Sequence, residues 1–287
     1  MISAANALAD LKWIFNTPSL LQRDLPDFPS NILQSHELNQ LAADFKVKLD
    51  TTDFEHKLRK FLDEKFEGST LLGKYFEALI EFIIREDEQL ELIYHNEQLI
   101  VDKRTLGELD FVFYDRSNGQ LIHLECALKY YLGHHESRDL QNWIGPNKRD
   151  TLYNKVEKLK EQSAWLQDKG IRSHFEALPP DTPVRSYCLL LGYLIPPNHA
   201  TELRPHHANR LEHSITWISA TEFIEKQSNH RYALIPKINW LSPKNRVQLS
   251  TPAEHDELIS ICRKIENGEH YAIWVQREDG KDMFIAG

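Results

Sequence analysis

Between Leu71 and Tyr130 the recurrence of apolar residues changes from a helical period to a period of two, and no other feature constrains the fold as strongly. The first stretch, Leu71-Leu72-Gly-Lys-Tyr-Phe-Glu77-Ala-Leu-Ile-Glu81-Phe-Ile-Ile, carries Leu72, Phe76, Leu79, Ile80 and Ile83 on one wide face. That face predicts a helix packed in the core, opened by Ser69 or Thr70. Strand-like runs are predicted at 90–94, 98–102, 108–114 and 120–130. A long helix over 148–167 follows, with Asn147 as its N-cap and Asp150 three residues on, close to a capping box. After the break at Leu178-Pro-Pro-Asp-Thr-Pro183, the continuously apolar stretch 186–195 reads as a buried strand. In outline the order from 70 to 196 is helix, three strands, helix, strand.

The flanks are read more coarsely. Residues 1–68 form a helical region, in which Leu58, Phe61, Leu62 and Phe66 recur at helical spacing between a cap at Asp53 and a stop at Gly68. Beyond Pro196-Pro197 the pattern predicts an α/β addition over 197–287. It holds a strand at 215–218 and capping-box starts at Ser219-Ala-Thr-Glu222 and Thr251-Pro252-Ala-Glu254. A terminal hairpin turns at Asp279-Gly280 between 271–276 and 283–286. The fold class is α+β, with a core at 69–196.

Composition narrows the setting. With 41% hydrophobic and 27% charged residues, the chain can bury a core without disulfides or structural metal. Its three cysteines, Cys126, Cys188 and Cys262, include no CxxC pair, which argues for reduced thiols in a cytosol. No signal peptide and no stretch long enough to span a bilayer is read, so a cytoplasmic protein without a membrane partner is expected. The net charge of −9 weighs against non-specific coating of nucleic acid, but it allows an acidic metal site inside a locally basic groove.

The chemistry concentrates in the hairpin from Glu108 to Tyr130. Alternation sets Leu109, Phe111 and Phe113 on one face of the first strand and Glu108, Asp110 and Val112 on the other. On the second strand, His123, Glu125, Ala127 and Lys129 lie opposite Ile122, Leu124, Cys126 and Leu128. If Asp115 pairs with Gln120, Asp110 stands directly across from Glu125. If Asn118-Gly119 forms a two-residue turn, Asp110 faces Ala127, with Glu125 and Lys129 diagonal to it. Either register brings two carboxylates to roughly 5 Å between Cβ atoms, or somewhat more on the diagonal. Like charges so close are tolerated if solvated, if one is protonated, or if a divalent cation joins them. Mg²⁺ (or Mn²⁺) suits such a pair, completed by water and substrate phosphate. Lys129 could then stabilise the transition state, and Glu77 could add a third carboxylate. The plainer alternative is an antiparallel sheet with one solvated face, a cross-strand ion pair at Lys129, and solvated helix charges at Glu77 and Glu81.

Other groups carry weaker signals. Gly145-Pro146-Asn147, leading into Lys148 and Arg149, could hold a phosphate at a helix start, although a capped surface helix explains it too. Lys155, Lys158 and Gln162 share one helical stripe and are candidate backbone contacts for nucleic acid. His134-His135-Glu136 and His206-His207 lack the i, i+4 spacing of a zinc helix, and no GxGxxG, Walker loop or GxSxG occurs.

The order helix-Glu77, Gly107-Glu-Leu-Asp110, then Glu125 and Lys129 on the next strand resembles the PD-(D/E)XK nuclease superfamily, whose core is αβββαβ. The runs Gly107-Glu-Leu-Asp110-Phe, His123-Leu-Glu125-Cys-Ala-Leu-Lys129-Tyr-Tyr and Gly145-Pro146-Asn147, leading to Asp150 and Lys155, also resemble a bacterial family known as domain of unknown function 1853. The superfamily resemblance implies Mg²⁺-dependent hydrolysis of phosphodiester bonds, with Asp110, Glu125 and Glu77 as ligands and Lys129 as the catalytic cation. It implies nucleic acid as partner, DNA ahead of RNA, bound by Lys148, Arg149, Lys155 and Lys158. It also allows a homodimer, because such nucleases often pair to cut both strands. One position departs from the pattern: Ala127 stands where the motif has lysine, and Lys129 follows two residues later, roughly 6.5 Å further along the strand. A catalytically silent member, acting as a nucleic-acid-binding or protein-interaction module, is the alternative.

Overall fold

A computed structural model describes residues 4–23, 25–28, 31–49, 52–66, 71–101, 103–178, 182–211, 215–226, 230–243 and 253–287. Helices and strands are mixed in an α+β architecture. The chain divides into two compact units, one of Ser3–Leu128 with Val156–Leu191, the other of Lys129–Lys155 with Gly192–Gly287.

In the first unit, α1 (Ala4–Asn16), α2 (Ser35–Leu41), α3 (Ala43–Lys48) and α4 (Thr52–Lys65) precede α5 (Leu72–Glu86). All five residues of the predicted apolar face of α5 are buried. Edge-to-face rings bind the neighbouring helices, with Phe45, Phe54 and Phe82 at 5.0–6.0 Å between centroids. Three long strands follow: β2 (Leu90–Val101), β3 (Arg104–Asp115) and β4 (Gln120–Gly133). The runs expected at 90–94 and 98–102 are one strand. Its register slips between Leu92 and Tyr94, yet pairing with β3 resumes at Tyr94↔Val112 and continues through Glu97↔Leu109, so no turn forms at Asn96. The region before Leu71 is largely helical but also lends β1 (Asn31–Ile32), which runs parallel to β6 (Val184–Ile195). The sheet order is β1-β6-β4-β3-β2.

The hairpin between β3 and β4 takes the first of the two predicted registers. Asp115 pairs with Gln120, Phe113 with Ile122 and Phe111 with Leu124. The turn is held by its own first residue: Asp115 Oδ1 accepts Ser117 N at 2.9 Å, and Oδ2 accepts Asn118 Nδ2 at 2.6 Å.

The predicted helix over 148–167 begins later, at Leu152, as α6 (Leu152–Ala164), followed by a 3₁₀ turn at Trp165–Gln167 and the short α7 (Lys169–Arg172). Residues 145–150 instead form a closed loop, in which Gly145 N donates to Asp150 O at 2.8 Å and Lys148 is left-handed at φ 57°. Asn147 Oδ1 accepts Arg149 N at 3.1 Å, an Asx turn that competes with helix. Thr151 Oγ1 accepts Asn154 N and caps the real helix start.

In the second unit, β5 (Trp143–Ile144) pairs with Leu132 and Gly133 of β4. A separate four-stranded sheet has the order β7 (Thr216–Ser219), β10 (Asp282–Ala286), β9 (Ala272–Arg277), β8 (Tyr232–Ile235). Two helices, α8 (Ala220–Lys226) and α9 (His255–Glu266), bury Phe223, Leu258 and Cys262 against Ile218, Val275 and Ile285 of this sheet. Ser219 Oγ accepts Glu222 N at 3.0 Å, as the capping box predicted, and Gly280 turns the terminal hairpin at φ 83°. The cap predicted at Asp53 is already the second residue of α4, and those predicted at Ser69 or Thr70 and Thr251, with the stop at Gly68, fall outside the described residues. No helix among the described residues is long and apolar enough to cross a membrane. No disulfide joins the three buried cysteines.

Candidate functional site

The central sheet of the first unit forks. Pairing of β3 with β4 ends at Phe111↔Leu124, while β3 stays with β2 as far as Arg104. Asp110 and Glu125 occupy the next opposed position. Backbone donors released by the fork need new acceptors, and the two carboxylates supply them. Asp110 Oδ2 accepts Cys126 N at 2.8 Å, and Glu125 Oε1 receives Asp110 N at 3.4 Å.

The middle of this face is closed to solvent, contrary to the plainer reading of the hairpin. His123 is 0% exposed and Glu125 1%. The cover comes from α6 and the 3₁₀ turn that follows it. Gln162 Nε2 donates to Glu108 O at 3.2 Å, and Trp165 packs with Val112 and Leu121 in one apolar cluster. Trp165 also explains Gly107, since a Cβ there would lie 2.3 Å from the indole Cη2. His123 Nε2 lies 2.9 Å from Glu125 Oε1. Its other ring nitrogen is 3.5 Å from Ser186 Oγ, which also accepts Gln167 Nε2 at 3.2 Å. Glu125 is thereby oriented, and its second oxygen, Oε2, is buried with no hydrogen-bond partner. No lysine or arginine among the described residues forms an ion pair with Glu125.

Glu77 sits half-buried on α5. Among the described residues, no three of His, Cys, Asp and Glu converge as a group able to hold a metal ion, so Glu77 is not brought to Asp110 and Glu125 as a third ligand. Glu81 is not the solvated helix charge that its position suggested. It is 0% exposed and meets Lys65 Nζ at 2.9 Å, Arg85 Nε at 2.8 Å and His95 Nδ1 at 3.3 Å. Burial pushes its carboxyl up, but Lys65 and Arg85 outweigh this and hold it below the usual glutamate value.

Lys129 belongs to the second unit, and there it has a partner the sequence did not reveal. Its Nζ lies 2.9 Å from Asp150 Oδ2, and the same oxygen accepts Tyr131 OH at 3.1 Å. Burial, then the Asp150 charge, raises the Tyr131 phenol far above its ordinary value and keeps it a donor. The closed loop at 145–150 delivers Asp150 to this cluster. Behind Lys129 the chain requires Gly192, at φ 134°, because a Cβ there would lie 1.8 Å from the Lys129 carbonyl oxygen. The sequence marks Asp150 only as part of a helix start and of a resemblance run, and Tyr131 only by its place in such a run.

The proposed nucleic-acid contacts fare unevenly. Lys148, Arg149 and Lys158 are exposed and Lys155 is half-buried. Gln162 is 5% exposed and is turned to the Glu108 carbonyl, so it is withdrawn as a backbone contact. The anion site expected at a helix start after Asn147 is a loop, not a helix N-terminus. The His134 ring packs against Trp217 at 4.8 Å between centroids, tilted by 46°, and burial, then His135 and Lys148, lowers its pKa.

These features define an α+β protein whose central sheet opens at a carboxylate pair, Glu125 buried and Asp110 half-buried. The family model described as "Domain of unknown function (DUF1853)" matches residues 9–280, and the chain belongs to that family. No curated protein and no solved structure matches it.

Proposed function

We propose that the chain hydrolyses nucleic-acid phosphodiester bonds with Mg²⁺ or Mn²⁺, on a core of PD-(D/E)XK type, with Asp110 and Glu125 as the metal-holding carboxylates. One observation carries the reading: Glu125 presents a buried oxygen with no hydrogen-bond partner, directly across from a second carboxylate. Two carboxylates are a sufficient protein contribution for magnesium, which completes its shell with water and substrate phosphate. When bound, the ion would neutralise charge on the scissile phosphate and activate water. The chain's own residues do the rest. His123 fixes the rotamer of Glu125, the Cys126 N–H fixes Asp110, and Lys129 supplies the cation that the displaced motif retains. Lys148, Arg149, Lys155 and Lys158 would contact the phosphate backbone of DNA.

A second reading draws on a different observation. Lys129 is already matched by Asp150 and Tyr131, which favours a silent member that keeps the fold as a nucleic-acid-binding or protein-interaction module. Incubation of the full chain with plasmid DNA and Mn²⁺ separates the two. Cleavage that is lost in Asp110→Asn and Glu125→Gln supports the nuclease. Metal binding without cleavage supports the module.

A further inference from the structure

The opposite end of the β3–β4 hairpin borders a cavity of about 520 Å³, formed within the first unit. Its nearest lining residue on β4, Ile122, is three strand residues from Glu125, on the order of 10 Å at the usual rise, and the cavity shares no residue with the fork. Its size is that of a small-molecule site, but its lining is polar.

The charges on its wall are unequally spent. Glu37 is consumed twice, by Arg23 Nη2 at 3.0 Å and by Gln34 N at 3.1 Å, where it closes the start of α2. Asp115 is buried and accepts from Ser117 and Asn118 of its own turn. Arg185 has no carboxylate partner among the described residues, and its one hydrogen bond runs from Nη1 to Tyr187 OH at 3.3 Å. The side-chain amides of Asn31, Gln40 and Gln120 also line the cavity and make no hydrogen bond to other described residues. A guanidinium has five donors in a planar fork matched to carboxylate or phosphate. Here Arg185, Tyr187 and three amide residues line one space, while Glu37 is paired with Arg23 and the Asp115 carboxylate is engaged by the neutral donors of its own turn.

We infer that this cavity binds a small molecule bearing an oxyanion, a carboxylate or a phosphate monoester, held by Arg185 with Tyr187. The body of the ligand is read by the amides of Asn31, Gln40 and Gln120. The assignment is independent of the carboxylate fork and of any metal there.

Calorimetric titration of the full chain with inorganic phosphate, AMP and succinate, in the presence of a chelator, tests it. Saturable binding of at least one probe is expected, weakened about tenfold in Arg185→Gln, a loss on the order of 1.4 kcal/mol. Gln120→Ala should weaken AMP or succinate while leaving inorganic phosphate unchanged, and unaltered thermal midpoints show that both variants fold. Binding of phosphate and AMP but not succinate assigns a phosphate monoester, and the reverse assigns a carboxylate. Absence of binding by all three probes at about 10 mM, or equal affinity in wild type and Arg185→Gln, overturns the inference.

Discussion

Glu81 and Glu125 lie in the same unit and are buried to the same degree, yet their surroundings answer them in opposite ways. Glu81 receives two cations and a histidine and is held ionised by them. Glu125 receives one histidine and one long backbone donor, and it faces the like charge of Asp110. Taking a carboxylate out of water costs several kcal/mol unless charge and hydrogen bonds offset it. The α5 network supplies the opposing charge from its own side chains, although Glu81 Oε2, like Glu125 Oε2, is buried without a hydrogen-bond partner. Glu125 is answered less fully: no lysine or arginine among the described residues pairs with it, and its Oε2 is buried without a hydrogen-bond partner. That difference is the physical ground for reading the fork as a cation site and the α5 network as a staple between α4, α5 and β2.

Substitutions can break this contrast. The largest effect is expected at the staple. Glu81→Ala leaves Lys65, Arg85 and His95 without their common partner and should cost about 3 kcal/mol in urea unfolding, moderated because both cations are half-exposed. A null result there would remove the distinction between the two glutamates. Gly107→Ala tests the cover over the fork. The new methyl must displace Trp165 and should cost about 2 kcal/mol, with a red shift in tryptophan emission as the indole moves toward water. In the second unit, Tyr131→Phe removes one donor to Asp150 and should cost about 1 kcal/mol. A larger loss would mean that Asp150, not Lys129, is the group this cluster exists to hold.

The smallest effect is the pH dependence. Burial, opposed by Glu81, lowers the His95 pKa below 6.5, so its contribution to stability is fully present above pH 6.5 and is lost as the pH falls through the lower folded value. His134 acts in the same direction for its own reasons, and Glu81 adds a second loss below pH 4.5. Stability should therefore decline on acidification from neutrality. His95→Gln should flatten the slope just below pH 6.5 by a fraction of about 1.4 kcal/mol per pH unit. A slope unchanged by that variant would separate His95 from the staple.

The sequence carried the local part of this picture. Alternation and turn chemistry gave the two hairpin registers, and Asp115 chose between them by satisfying its own turn. The helical face of α5 and the buried strand β6 were also legible, because period and continuity report burial directly. Contacts between distant segments were not. Whether the polar face of β4 meets water depends on α6 and Trp165 arriving over it from forty residues away in the chain. Asn147 and Asp150 have the spacing of a helix start, but Asn147 closes an Asx turn and Lys148 goes left-handed, which frees Asp150 to meet Lys129. Glu81 looked like a surface charge because it is an acidic residue outside the apolar face of its own helix. Its partners come from α4, β2 and its own next turn.

Metal-linked stability of the wild type against Glu125→Gln tests the reading of Glu125 as a metal-holding carboxylate most directly. In chelator, replacing a buried, underpaired carboxylate by its neutral isostere should leave stability unchanged or raise it by about 1 kcal/mol. With Mn²⁺ at about a hundred times its dissociation constant, the wild type alone should gain about 2.7 kcal/mol. Equal response of both proteins to Mn²⁺, or marked destabilisation of Glu125→Gln in chelator, would contradict the account.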